Sequence, residues 1–417
     1  MTIYRKLFSS SMAVLLALPL WACEGLMEVR NPNTVVADEV DPDQDAATFA
    51  RSAFQNLATA YGSLIVYSAW FTNEARVGDT FPTRNEFGRR LIDFRNGTLN
   101  GEVWEPLAMA MESSEGVIDI LEGRTGVDMA RAALAAGYSA LFMAEMFCEG
   151  AIRIDRDAEY AQRVNTTQML DHAIKRFQDA IAAGDAAGGA GAALANAARV
   201  GLARAYLFKG DKANAAATAD QVPEDFVFEV PYVDDRSALG RLGNTVHWFS
   251  NARESLVVGP EWRAIADSGD ERIKYVDGNR LAQDGVLRFY IQQKYPSYSS
   301  PIRLASGLEA RYIAAEARGD VSEQLALINE RRAANGQPAY SGPTDANSVL
   351  TELLFQKGLD FWLEGKRMGD WRRNPDNVKF IIQPSDQYYK PDVGSMGADM
   401  CFPLPDDETD NNPNFAS

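Results

Sequence analysis

Two stretches of this chain share one design, and that design leaves few folds open. Ala203–Asp211 and Tyr312–Asp320 each run through apolar and small residues at helical spacing, reach a glycine (Gly210, Gly319) and place an aspartate directly after it. Glycine readily takes the left-handed conformation that closes a helix, and aspartate caps the next one. Each stretch therefore predicts a tight helix–turn–helix, with small side chains that let the paired helices approach closely. Tetratricopeptide-like units are built this way, with a period of about 34 residues. The copies are irregular and separated by long insertions, so the prediction is a scaffold of about four helix pairs rather than an open solenoid.

Helical periodicity continues on the N-terminal side. Ala46–Tyr61 carries Phe49, Ala53, Phe54, Leu57 and Tyr61 at helical spacing, and Glu102–Glu122 repeats the pattern through Val103, Leu107, Met111, Val117, Ile118 and Leu121. Val127–Phe147 predicts an alanine-rich apolar helix. Thr167–Ala183 predicts another, capped by Thr166 or Thr167, with Leu170, Ile174, Phe177 and Ile181 on one face. Gly188–Gly191 reads as a flexible connector. The period fades over about 70–101 and again over 223–306. In the second region Phe226–Val230, Ser255–Val258 and Val286–Ile291 predict short strands. The expected fold is mainly α: one helical domain over 46–417, with two long loop-rich insertions and a few short β-strands. Long excursions of this kind carry function more often than they fill space.

Ahead of this body, Arg5 and Lys6 precede the apolar run Met12–Leu20, which is too short to span a bilayer. Leu20-Trp21-Ala22-Cys23 closes that run in the manner of a bacterial lipoprotein signal. Residues 1–22 are therefore expected to be a signal peptide, and the Cys23 thiol the lipidation site. Residues 23–45 are expected to be an acidic tether in which Pro32 and Pro42 break helix. Several acyl chains together would hold such a protein stably at a membrane surface.

Composition narrows the chemistry. Asp and Glu number 58 against 41 Lys and Arg, for a net charge of −17, which repels nucleic acid and anionic headgroups. With two histidines and three cysteines, none clustered at metal-ligand spacing, no metal site, cofactor or Ser-His-Asp triad is expected. If Cys23 carries lipid, Cys148 and Cys401 remain. An exported chain can pair them, but the apolar helical run around Cys148 reads more simply as a buried thiol.

Further blocks lie in a fixed order along the chain: Asn31-Pro32-Asn33-Thr34-Val35, Asp270-Glu271-Arg272, Gln293-Lys294-Tyr295, Pro301–Ala305 followed by Glu309 and Ala315–Ala317, and Ile328–Arg332. The longest block is Leu353–Arg373, which contains Trp362-Leu363-Glu364-Gly365-Lys366-Arg367 and Asp370-Trp371-Arg372-Arg373. Phe402-Pro403-Leu404-Pro405, Glu408 and Asn412-Pro413-Asn414 close the series. With the leader and Cys23, these blocks resemble the SusD/RagB family of outer-membrane nutrient-binding lipoproteins. Gln356 and Lys357 depart from the family's usual Glu-Arg pair. The resemblance implies a SusD-like helical domain, with Pro301–Ala305 leading into the last helix pair. It also implies a lipid-anchored protein exposed at the cell surface over a SusC-like TonB-dependent transporter. Such a protein binds an oligosaccharide, or a peptide in some branches, and delivers it without enzymatic chemistry. The alternative is a tetratricopeptide-like lipoprotein scaffold for outer-membrane assembly that binds only protein.

A sugar presents C–H groups on a face and hydroxyls on its edge, so it is held by aromatic rings and by Asp, Asn or Arg side chains. The ligand-binding candidates are therefore Trp70, Phe71, Asp79 and Arg84 in the first insertion, and Trp248 and Tyr298 in the second. Glu364, Arg367, Asp370 and Arg373 follow one another at intervals of three on one helical flank. They predict a structural ion network that pins the last helix, not a catalytic pair of carboxylates.

Overall fold

Proline opens the first helix instead of ending the tether. A proline ring presets helical φ, and its missing N–H costs nothing in a first turn. Helix α1 accordingly spans Pro42–Phe71 in the computed structural model, which describes residues 41–154, 158–236, 242–384 and 386–415. The last eight residues of α1, from Leu64 to Phe71, are buried on every side, which erases the amphipathic period there. Trp70 and Phe71 thus end a core helix and do not belong to an insertion. Cys23 and nearly all of the expected tether lie outside the described residues.

Along the chain follow β1 (Arg76–Val77), α2 (Pro82–Arg89), α3 (Glu105–Ile120), α4 (Val127–Met146), β2 (Glu149–Ile152), β3 (Gln162–Asn165), α5 (Thr166–Ala186), α6 (Ala192–Lys209), α7 (Lys212–Ala219) and β4 (Val227–Val230). Next come α8 (Thr245–His247), β5 (Leu256–Val257), α9 (Pro260–Asp267), β6 (Tyr275–Leu281), β7 (Arg288–Gln292) and β8 (Ile302–Ser306). The last are α10 (Gly307–Arg318), α11 (Val321–Ala334), α12 (Ala346–Asp360), α13 (Arg367–Arg373) and α14 (Asp406–Asn411). The fold is mainly helical, as expected. Its described strands form four two-stranded antiparallel sheets, β1–β5, β2–β3, β4–β8 and β6–β7. Ile302–Ser306, which overlaps the Pro301–Ala305 block, is a strand paired with β4, and helix begins only at Gly307.

Both glycine–aspartate junctions are tight turns. Gly210 has φ 88° and Gly319 φ 65°, and each is followed by an aspartate whose carboxylate accepts from a backbone N–H: Asp211 from Asn214, Asp320 from Glu323. The units they close, α6–α7 and α10–α11, are neighbours, because α10 packs on both α6 and α7. α3, α4, α5 and α6 pack in succession, and α12 continues from α11. At the α5 start the cap is Asn165 rather than Thr166 or Thr167. Its side chain accepts from Gln168 N–H while the Gln168 side chain accepts from Asn165 N–H, a reciprocal box that a lone threonine does not make.

Close approach explains two glycines. The Phe177 ring of α5 lies against Gly137 of α4 and Gly201 of α6, where a Cβ would come within 2.7 Å and 2.4 Å of it. Deeper, Arg204 of α6 is 3% exposed and donates to Glu145 of α4 at 2.7 Å and Glu309 of α10 at 3.4 Å. Lys366 meets Glu309 at 2.8 Å, so this buried network fastens the helix pairs to the chain before α13.

The C-terminal third also closes over α1. Tyr61 Oη donates to Glu364 O at 2.8 Å, and Trp362 Nε1 donates to Glu74 O at 3.1 Å. Cys148 and Cys401 are joined by a disulfide with a Cα–Cα distance of 5.2 Å. The buried-thiol expectation for Cys148 is corrected: it lies just past the end of α4, is exposed, and donates its backbone N–H to Phe402 O. No helix among the described residues is long and apolar enough to cross a membrane.

Candidate functional site

Gln55, Thr59 and Ser63 recur at intervals of four on α1, with Asn56 beside them. This spacing places the polar side chains in a stripe along one flank of the helix. The stripe forms one wall of a cavity of about 320 Å³. Arg84 of α2, Gly101 and Glu102, and Glu105, Pro106 and Met109 of α3 contribute the opposite side, and Leu242, Thr245, Trp248 and Phe249 complete the lining. Its volume sits at the lower end of small-ligand pockets, about 300–1,000 Å³.

Two segments of this lining are π-helical. Leu99–Trp104 precedes α3, with Glu105 N–H bonded to Asn100 O; Trp248–Ala252 follows α8, with Arg253 N–H bonded to Trp248 O. A π-turn inserts one residue into a helical ladder and re-aims the side chains around it, and such turns concentrate at functional sites. Here they place Glu102 and Trp248 in the same cavity.

A partly buried charge cluster extends from the cavity lining inward. Arg84, 5% exposed, donates from Nη1 to Asp79 Oδ2 at 2.8 Å and from Nη2 to Glu102 Oε1 at 2.8 Å. Its guanidinium carbon lies 5.0 Å from the Phe249 ring centre. Arg253 makes a second two-pronged contact with Asp79, at 3.0 and 3.1 Å. Burial alone would raise the Asp79 pKa, but hydrogen bonds from Arg253, Phe81 N–H and Arg84 outweigh it and hold the carboxyl below its usual range. Glu102 also accepts from the Tyr67 hydroxyl. Burial first and the Glu102 charge second push the Tyr67 phenol well above its ordinary pKa, so it stays a donor. Gln55 Nε2 and Arg84 Nε are buried donors with no hydrogen-bond partner among the described residues.

Of the six ligand candidates, Arg84 and Trp248 line this cavity. Asp79 is buried and acts on Arg84. Trp70 lies under Phe249, with ring centres 5.3 Å apart. Phe71 packs on Phe402 and Trp371, in the core. Tyr298 packs edge-on against His247 at 4.6 Å, and its carbonyl accepts from Asn244, the cap of α8; it supports the segment that carries Trp248. Sequence reasoning missed Gln55, Asn56, Glu102, Glu105, Thr245 and Phe249; the four-residue polar spacing on α1 was the available signal.

The four charges at α13 do not form one chain. Leu363 and Gly365 have positive φ, 56° and 67°, so the helix starts only at Arg367 and Glu364 lies outside it. Glu364 instead meets Lys294 at 2.7 Å and Arg303 at 2.8 Å. Burial opposes its charge, but Lys294, Arg303 and Lys366 hold its carboxyl below the usual range. Arg367 donates to the carbonyls of Thr72 and Lys379. Only Asp370 and Arg373 pair with each other, at 2.7 Å, while Arg373 also reaches Glu316 and Asp370 also reaches Lys357. The charges are separate anchors between helices. Among the described residues, no group of His, Cys, Asp and Glu is placed to hold a metal ion.

No protein-family model matches the chain. No curated protein matches it either. Solved structures do. A protein described as a laminarin-binding SusD-like protein superposes with a TM-score of 0.66 at 12% identity, covering 87% of this chain and 96% of its own. A SusD superfamily protein from Bacteroides thetaiotaomicron VPI-5482 superposes with a TM-score of 0.64 at 14% identity, covering 91% and 99%. A SusD-like carbohydrate-binding protein from Bacteroides vulgatus ATCC 8482 gives 0.61 at 14% identity, covering 79% and 83%. These similarities establish the fold and support the SusD/RagB resemblance of the sequence blocks.

Proposed function

We propose that this chain, which has the SusD-like fold, is a surface lipoprotein that captures a glycan and passes it to a SusC-like TonB-dependent outer-membrane transporter. The observation that carries this reading is the cavity under Trp248: a half-buried indole beside a fixed Arg84–Glu102 pair and a stripe of amides and hydroxyls. An indole covers the C–H face of a sugar ring, while the carboxylate, amides and hydroxyls address its edge. Structural neighbours described as laminarin-binding and carbohydrate-binding support the ligand class. The Cys148–Cys401 disulfide supports export, since such bonds persist in oxidising compartments. In this reading residues 1–22 are removed, Cys23 carries the lipid, residues 23–45 tether it, and 46–417 is the binding domain.

Calorimetric titration with laminarin and a panel of neutral oligosaccharides and peptides tests the ligand. Saturable heat with a glycan, weakened at least about tenfold by Trp248→Ala, is expected; silence across the panel refutes the reading. Cys23→Ala should release the protein from the membrane fraction. Mild-detergent extraction from the native host should bring down a large barrel protein, and repeated isolation of this chain alone would remove the transporter from the proposal.

A further inference from the structure

The cavity has a sign. Its described lining holds two carboxylates, Glu102 and Glu105, and one cation, Arg84. That cation is already committed, with Asp79 on one nitrogen and Glu102 on another. Asp79 shares its own charge with Arg253, so the cluster of buried Asp79 and Arg84 with half-buried Glu102 and Arg253 balances internally. Glu105 stands outside this balance. It is exposed, at the start of α3, and pairs with no cation among the described residues. Among the described lining residues, the uncompensated charge that a ligand meets on entry is therefore a carboxylate, within a chain of net charge −17.

We infer that this cavity discriminates by charge: it accepts uncharged and amino sugars and turns away uronate-bearing or sulfated glycans, with Glu105 as the selecting group. The inference rests on the glycan-binding reading and narrows its ligand class. The mechanism is repulsion built against the wrong ligand, beside contacts that fit the right one. An anionic sugar over Trp248 would have to approach Glu105 with no free guanidinium among the described lining residues to receive it, because Arg84 already holds Asp79 and Glu102.

Two measurements decide it. Trp248 is isolated by subtracting the fluorescence of Trp248→Phe from that of the full protein, and is quenched with caesium, iodide and neutral acrylamide. Relative to acrylamide, caesium should quench it at least about twofold better than iodide, and Glu105→Gln should narrow that ratio. Equal quenching by both ions, or a ratio unmoved by Glu105→Gln, overturns the inference. In the second measurement, hexagalacturonate should bind at least about tenfold more weakly than the tightest of laminarihexaose, cellohexaose and chitohexaose, with Glu105→Gln closing part of the gap. Equal or tighter binding of hexagalacturonate overturns the inference and leaves glycan binding standing. If no hexasaccharide binds, the glycan reading falls, and the quenching ratio still decides whether the cavity excludes anions.

Discussion

Asp79 and Arg84 form a buried ion pair at 2.8 Å directly below the cavity, and the Asp79 side chain is fully shielded from solvent. The pair fixes where the guanidinium, and with it Glu102, can sit. Asp79→Asn leaves Arg84 and Arg253 side by side with one neutral acceptor between them. Breaking a buried pair in this way costs about 3–5 kcal/mol. Chemical unfolding should show a loss of that order. The pH dependence has a definite sign. The Asp79 pKa is depressed in the folded state, so its stabilisation is present above its unfolded pKa and disappears as pH falls through the folded value. The variant should lack this acid-side loss, and an unchanged acid limb would contradict the assignment.

Trp248→Ala should separate binding from folding. The ring is half-buried and packs edge-on against Phe249 at 4.7 Å, so its removal opens a surface rather than a core. Affinity for a glycan should fall by about tenfold or more in calorimetry, while the melting temperature moves little.

Glu74 titrates in the opposite direction from Asp79. Burial is the main cause that lifts its carboxyl from 4.5 to about 7; Arg367 and the Leu363 N–H oppose the shift without overcoming it. The native state then holds a proton longer than the unfolded chain does. The resulting stabilisation is full below about pH 4.5 and is lost as pH rises to about 7, a change of about 3 kcal/mol. Glu74→Gln keeps the acceptor for Leu363 and cannot ionise. Between pH 4.5 and 7 the wild type should lose stability relative to this variant, read as converging or crossing denaturant midpoints; parallel profiles would refute the shift.

The Cys148–Cys401 bond closes a loop across a sequence separation of 253 residues. Such a long closure stabilises by about 2–5 kcal/mol, mainly by restricting the unfolded chain. Cys148 is exposed, so reductant reaches the bond without prior unfolding. Dithiothreitol or the double Cys→Ser variant should lower the melting temperature to the same value. Different values would indicate an additional role for one thiol.

Much of the scaffold was legible because its signals are local. Gly210-Asp211 and Gly319-Asp320 carry turn and cap within two residues, and both behave as written. Where burial is complete the signal vanishes: Leu64–Phe71 has no polar face, so its helix merges with the apparent insertion after it. The cap at Asn165 was hidden by adjacent threonines. Arg84 and Trp248, singled out from chemistry alone as a cation and a large aromatic in aperiodic regions, both line the cavity. Phe71 has the same chemistry and is core, because only the path of the chain decides which ring meets solvent. Glu364 and Arg367 look paired at a spacing of three, but positive φ at Leu363 and Gly365 turns them apart, and sequence spacing carries no trace of that turn.

Tyr61 binds the first helix to Glu364, and Trp362 binds Glu74 just past that helix, across separations of 303 and 288 positions. Synthesis runs from the N-terminus, so although Phe142 and Phe228 can cover part of that helix early, its contact with Glu364 forms only after the last third of the chain has left the ribosome. Folding that must wait for distant partners is slow and prone to sticking. A nascent chain of this kind needs an attendant to keep it soluble until then, and a fragment truncated before Asp360 should aggregate instead of assembling a smaller version of the domain.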